Sequence, residues 1–173
     1  MTTEDVALFS LRLALGGIYL LHGARKLGWQ GGSGYSGWLG SIERRGFRPA
    51  WFWAAAGLSA EIGGSLLVIA GLFTPLGAAL LVAHSLVIVI LVSPRGFWHD
   101  QQGLEYPLLL GVTALGVAFI GPGALSLDAL FGLSLPGGVA ELAVAVAVAG
   151  AVGSFLARHP AQAAGDGSAS QRQ

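Results

Sequence analysis

A single carboxyl sits near the middle of a stretch long and apolar enough to cross a bilayer. Ala50–Phe73 reads AWFWAAAGLSAEIGGSLLVIAGLF, and Glu61 is its only charge. A short Thr74-Pro75 break follows. The next apolar run, Leu76–Val92, carries one imidazole, His84, near its own middle. An ionisable group is costly in hydrocarbon, so it turns toward the protein interior and marks a functional or packing site. The break is too short for anything but a tight helical hairpin, so the two runs are expected to be antiparallel neighbours.

Three further runs approach the roughly 20 residues that a helix needs to span ~30 Å of hydrocarbon: Val6–Leu27, Leu104–Ile120 and Gly137–Leu156. The last contains a Val/Ala alternation, ELAVAVAVAGAV, that locally mimics a strand. Its length decides for a helix, because an isolated strand leaves its backbone unsatisfied in lipid. Composition agrees: 54% of the 173 residues are hydrophobic and 10% charged, against roughly 25% charged in soluble domains. The expectation is an all-α membrane protein. A four-helix transmembrane bundle fills residues 1–130, a fifth transmembrane helix lies in 131–158, and a disordered tail occupies 159–173. The first residues, MTTEDVALFS, lack the basic region of a signal peptide, so the first run is expected to be retained.

Faces can be assigned from helical spacing. In run one Arg12, Gly16, Tyr19, Gly23 and Lys26 fall in one stripe, with His22 at its edge, and such a stripe faces other helices. In run two Gly57, Glu61, Gly64 and Ser65 share a face, where small residues allow close helix approach. The intervening loop contains SGWLGSIERRG, which suggests a short amphipathic helix in the interface, with Trp38, Leu39 and Ile42 beside Glu43, Arg44 and Arg45. With five spans, the end holding the N-terminus has only Arg12 among its Lys and Arg. The other has Arg25, Lys26, Arg44, Arg45, Arg48, Arg95, Arg158 and Arg172, one against eight. The expected orientation is therefore N-terminus outside and C-terminus cytoplasmic.

At ~1.5 Å per residue, Glu61 and His84 both lie ~16 Å from the cytoplasmic end and Arg12 ~22 Å. Two sets emerge: Arg12, Glu61 and His84 at mid-membrane, and His22, Lys26 and Glu105 near the cytoplasmic end. The first is the candidate site, as a quinone contact with proton-bearing groups or as a structural ion pair with a hydrogen-bonding histidine. The absence of Cys excludes disulfides, Fe–S clusters and thiolate metal sites. A net charge of zero argues against nucleic acid as a partner. No metal site is expected, since His99-Asp100 offers only two ligands.

The order of landmarks resembles the DoxX family of small bacterial membrane proteins. The matching pieces are Arg12 with Gly16, HGARKL (His22–Leu27), RRGFRP (Arg44–Pro49), AEIGGSLLVIAGLFTP (Ala60–Pro75), FWHDQQGLEYPLLL (Phe97–Leu110) and GPGALSLD (Gly121–Asp128). The resemblance runs over about residues 6–130 and implies a four-helix bundle in the bacterial inner membrane. It also implies a link to thiosulfate:quinone oxidoreductase and to membrane redox assemblies, hence quinone as a possible cofactor. The disulfide chemistry of some relatives needs cysteines, which are missing here. Three readings of function follow. The leading one is an accessory subunit of a larger membrane complex, redox- or quinone-linked by the resemblance, in contact with lipid and other membrane subunits. It draws on the small-residue spacing of Ala143, Ala147 and Ala151 in the fifth helix. The others are a quinone-contacting oxidoreductase subunit, with Arg12, Glu61 and His84 at the quinone, and a small transporter or proton pathway.

Overall fold

A computed structural model describes residues 2–159. All the regular structure among them is helical: α1 Thr3–Lys26, α2 Gly34–Arg44, α3 Ala50–Ala70, α4 Thr74–Val92, α5 Glu105–Ile120, α6 Leu127–Leu130 and α7 Val139–Leu156. Four helices are long and apolar enough to cross a membrane: α1, α3, α4 with its extension to Arg95, and α7. The expected span Leu104–Ile120 is the shorter α5, whose 16 residues measure about 24 Å along the axis. It nonetheless joins the two ends of the bundle, because the segments flanking it bond at opposite ends. The expected tail beyond His159 lies outside the described residues.

The hairpin between α3 and α4 is built as its sequence dictates. Gly71 ends α3 in the left-handed conformation (φ 66°). Leu72 N–H donates to the Leu67 carbonyl at 3.0 Å and Gly71 N–H to that of Val68 at 3.2 Å, the paired bonds of a Schellman cap. Pro75 then sits in the first turn of α4, where its missing N–H costs nothing. The helices approach closely at Gly64 and Gly77: a Cβ on Gly64 would lie 2.9 Å from the Gly77 carbonyl oxygen.

α4 is the central helix, packed against α3, α5 and α7, while α1 lies chiefly along α3. The fifth, C-terminal helix expected beyond the four-helix bundle is present as α7 and packs along α4. Ala151 of α7 is buried, and Ala143 and Ala147 are half-buried. The small-residue spacing that suggested an external partner is used within the chain, because a residue as small as Ala lets α7 come close to α4. Large apolar side chains such as Leu109, Val112, Ile120, Leu142 and Val146 stand exposed around the outside, as a surface in contact with lipid requires.

The expected interfacial helix is α2. It buries Trp38 and Ile42 in a small core with Phe47 and Ala54. At this end Phe155 of α7 meets Phe47 edge-on, ring centroids 5.7 Å apart. His159 N–H donates to the Gly46 carbonyl at 2.9 Å.

Candidate functional site

α1 and α3 run antiparallel: the Gly16 position faces Ile69 and the Gly23 position faces Ile62. Side chains on a helix tilt toward its N-terminus. Lys26, the last residue of α1, therefore reaches back into the bundle, and Glu61 on α3 leans toward it. Lys26 Nζ donates to Glu61 Oε2 at 2.5 Å. The other carboxylate oxygen, Oε1, lies 3.6 Å from His84 Nε2 on α4. One carboxylate thus bridges a base and an imidazole from two neighbouring helices. The Glu61 side chain is 3% exposed and that of Lys26 18%, so Lys26 is the more exposed member of the pair.

α2 covers the pair. The Trp38 ring lies 4.2 Å from Lys26 Nζ, a cation–π contact. Its indole N–H donates to the Ala54 carbonyl at 3.0 Å, which fixes the ring against α3. On the far side of His84, Tyr19 meets the imidazole edge-on, ring centroids 6.1 Å apart. Its hydroxyl bonds Ser85 Oγ, which donates to the Pro107 carbonyl at 3.0 Å. A polar seam therefore crosses the core from α1 through α3 and α4 to α5.

His84 also forms part of the wall of an apolar cavity of about 240 Å³ between α3, α4 and α7, closed at one end by α2. Trp38, Trp53, Gly57, Val87, Leu91 and Ser154 are among its other walls. The Trp38 indole N–H and the Ser154 hydroxyl already bond backbone carbonyls. The imidazole is the wall's link to the charged pair behind it.

The expected grouping of Arg12 with Glu61 and His84 is not what the structure places together. Arg12 is fully buried at the opposite end of the bundle, where Nη2 donates to the Leu125 carbonyl. Asp128 is the acid at this end, its N–H bonded to the Gly71 carbonyl at 3.0 Å, with no Arg12–Asp128 ion pair within 4.0 Å among the described residues. The same tilt explains the difference: from its position on α1 the Arg12 side chain leans away from Glu61, whereas Lys26 leans toward it. Of the expected set His22, Lys26 and Glu105, Lys26 is the one that pairs with Glu61. His22 is exposed beside Tyr106, ring centroids 6.1 Å apart, and Glu105 accepts from His99 N–H at 2.9 Å. Among the described residues no cluster of three or more His, Cys, Asp or Glu is placed to hold a metal.

The fold and the buried acid–base pair define a small multi-pass helical membrane protein. The DoxX family matches over residues 7–94, just over half of the 173-residue chain, and the chain belongs to that family. The matched stretch contains Lys26, Trp38, Glu61 and His84. The FWHDQQGLEYPLLL and GPGALSLD segments lie beyond it. No curated protein and no solved structure matches the chain.

Proposed function

We propose that this DoxX protein is the quinone-contacting membrane subunit of a larger redox-linked complex in the bacterial inner membrane. The observation that carries the reading is the cavity between α3, α4 and α7, whose walls are apolar apart from an imidazole 3.6 Å from a buried carboxylate and a Ser154 hydroxyl already bonded to a backbone carbonyl. A quinone needs an apolar slot for its ring and a proton-bearing group near a carbonyl. His84 supplies that group, and Glu61 stands behind it. Arg12, at the other end, has no part in the contact. With no cysteine in the chain for an Fe–S cluster or a thiol couple, the electrons are assigned to a partner subunit. The reading includes an orientation with the N-terminus outside and the C-terminus cytoplasmic, supported by the seven Lys and Arg among the described residues toward the α2 end of the bundle: Arg25, Lys26, Arg44, Arg45, Arg48, Arg95 and Arg158.

Trp38 and Trp53 line the cavity, so quinone binding is expected to quench tryptophan fluorescence saturably in nanodiscs. His84→Ala should weaken it and Arg12→Lys should not. Absence of saturable quenching in the unmodified protein would refute the quinone contact. Purification in mild detergent tests the assembly: co-purifying membrane subunits are expected, and a chain that emerges alone counts against the complex.

A further inference from the structure

We propose that Lys26, Glu61 and His84 form a proton-conducting chain that opens only at the α2 end of the bundle, so that a molecule in the cavity takes its proton from that side of the membrane alone. This rests on the cavity reading above and adds the route and its direction.

Geometry supplies each link. Lys26 is the partly exposed member, at the end of α1. Its ammonium touches one carboxylate oxygen of Glu61 at 2.5 Å, and the other oxygen faces His84 Nε2 at 3.6 Å. His84 in turn belongs to the cavity wall. Around the chain stand Trp38 of α2 at the ammonium, and Tyr19 of α1 and the Gly57 backbone of α3 at the imidazole. The further titratable neighbours are Arg45, just after α2, on the Lys26 side and His22 of α1 on the His84 side. Among the described residues Arg12 is the one basic side chain buried toward the opposite end, and it bonds a backbone carbonyl there.

One proton enters at Lys26 and one leaves at the ligand oxygen. The ammonium N–H breaks as a Glu61 O–H forms, and that O–H breaks as an imidazole N–H forms. The imidazole N–H then breaks as the ligand O–H forms, and Lys26 recovers its proton from water. The step from Glu61 to His84 is longer than a hydrogen bond. It waits for the carboxyl to rotate, which makes Glu61 the gate.

The test uses a hydroxynaphthoquinone, whose colour reports its ionisation, bound to the full chain in nanodiscs. After a rapid pH drop, protonation of the bound probe is timed in the unmodified protein, in Lys26→Met and in Glu61→Gln. Neither residue lines the cavity, so affinity should hold while the protonation rate falls by about a hundredfold. The double variant Lys26→Gln with Glu61→Gln leaves no unpaired ion and should show the same slowing if a single variant does not fold. Unchanged rates in variants that bind the probe would overturn the proton chain and leave the cavity reading standing. A probe that does not bind the unmodified protein would overturn both.

Discussion

α1 carries a base toward each end of the bundle, Arg12 buried and Lys26 half-buried, and the two ends use it differently. At one end Lys26 meets a carboxylate, an indole and, through the carboxylate, an imidazole on a cavity wall. At the other, Arg12 is 0% exposed and holds the Leu125 carbonyl, while its Nε and Nη1 have no partner among the described residues. The acid nearby, Asp128, takes N–H bonds from Phe73 at 3.0 Å and Thr74 at 3.4 Å, at the start of α4. Asp128 N–H returns a bond to the Gly71 carbonyl at 3.0 Å. The Arg12 end is a fastening of loop to hairpin. The Lys26 end is a paired charge with an opening beside it. Two bases on one stripe of one helix thus have distinct roles, and what separates them is the direction in which each side chain leaves the helix.

The largest effect expected from breaking this contrast is at Glu61. Glu61→Ala strands the Lys26 ammonium and should cost about 3–5 kcal/mol, measured by reversible unfolding in detergent micelles. Adding Lys26→Met should restore much of it, since the uncompensated charge is then gone. A Glu61→Ala protein as stable as the unmodified one would show that Lys26 simply swings out to water and that the pair is not a buried one.

The Arg12 end should break at its backbone. Gly71 has a positive φ, and a Cβ there would run into the Arg12 guanidinium and Ser126. Gly71→Ala should cost at least about 1–2 kcal/mol from the left-handed conformation alone, with more from displacing Arg12, by the same unfolding measurement. Quinone quenching per folded molecule should stay as it was, because the cavity lies at the other end. Loss of quenching in step with stability would join the two ends into one unit and erase the distinction.

Much of this was legible in the sequence because burial in a helix follows spacing. The stripe Arg12, Gly16, Tyr19 and Gly23 is buried, as are Glu61, Gly64 and Ser65 on α3. The partners were less legible. Counting residues along each run gives heights of Cα atoms, and a long side chain adds or subtracts several ångströms according to its tilt. Applying the N-terminal tilt to the antiparallel pair α1 and α3 sends Lys26 to Glu61 and Arg12 away, so that signal was present. The fold-back of residues 121–128 onto the α3–α4 hairpin was not, because a carboxylate capping a helix 54 residues away leaves no periodic trace. Nor does an alanine repeat state whether the surface it meets belongs to its own chain. Here that surface is α4.

The smallest effect is the one that sharpens the contrast most. Asp128→Asn keeps one oxygen, enough for the 3.0 Å bond from Phe73 N–H; it gives up the longer 3.4 Å bond from Thr74 N–H and the charge at the α4 N-terminus, the charge being worth about 0.3–1 kcal/mol. If Asp128 serves chiefly as a helix cap, that loss should be the same with Arg12 present or replaced by Met. The coupling in the double-mutant cycle should then stay below about 0.5 kcal/mol. No Arg12–Asp128 ion pair within 4.0 Å occurs among the described residues, whereas Lys26 and Glu61 touch. The same cycle on Lys26 and Glu61 should therefore give several times the coupling. Equal coupling at both ends would mean that the Arg12 end is a buried ion pair after all, and that the cavity alone distinguishes one end from the other.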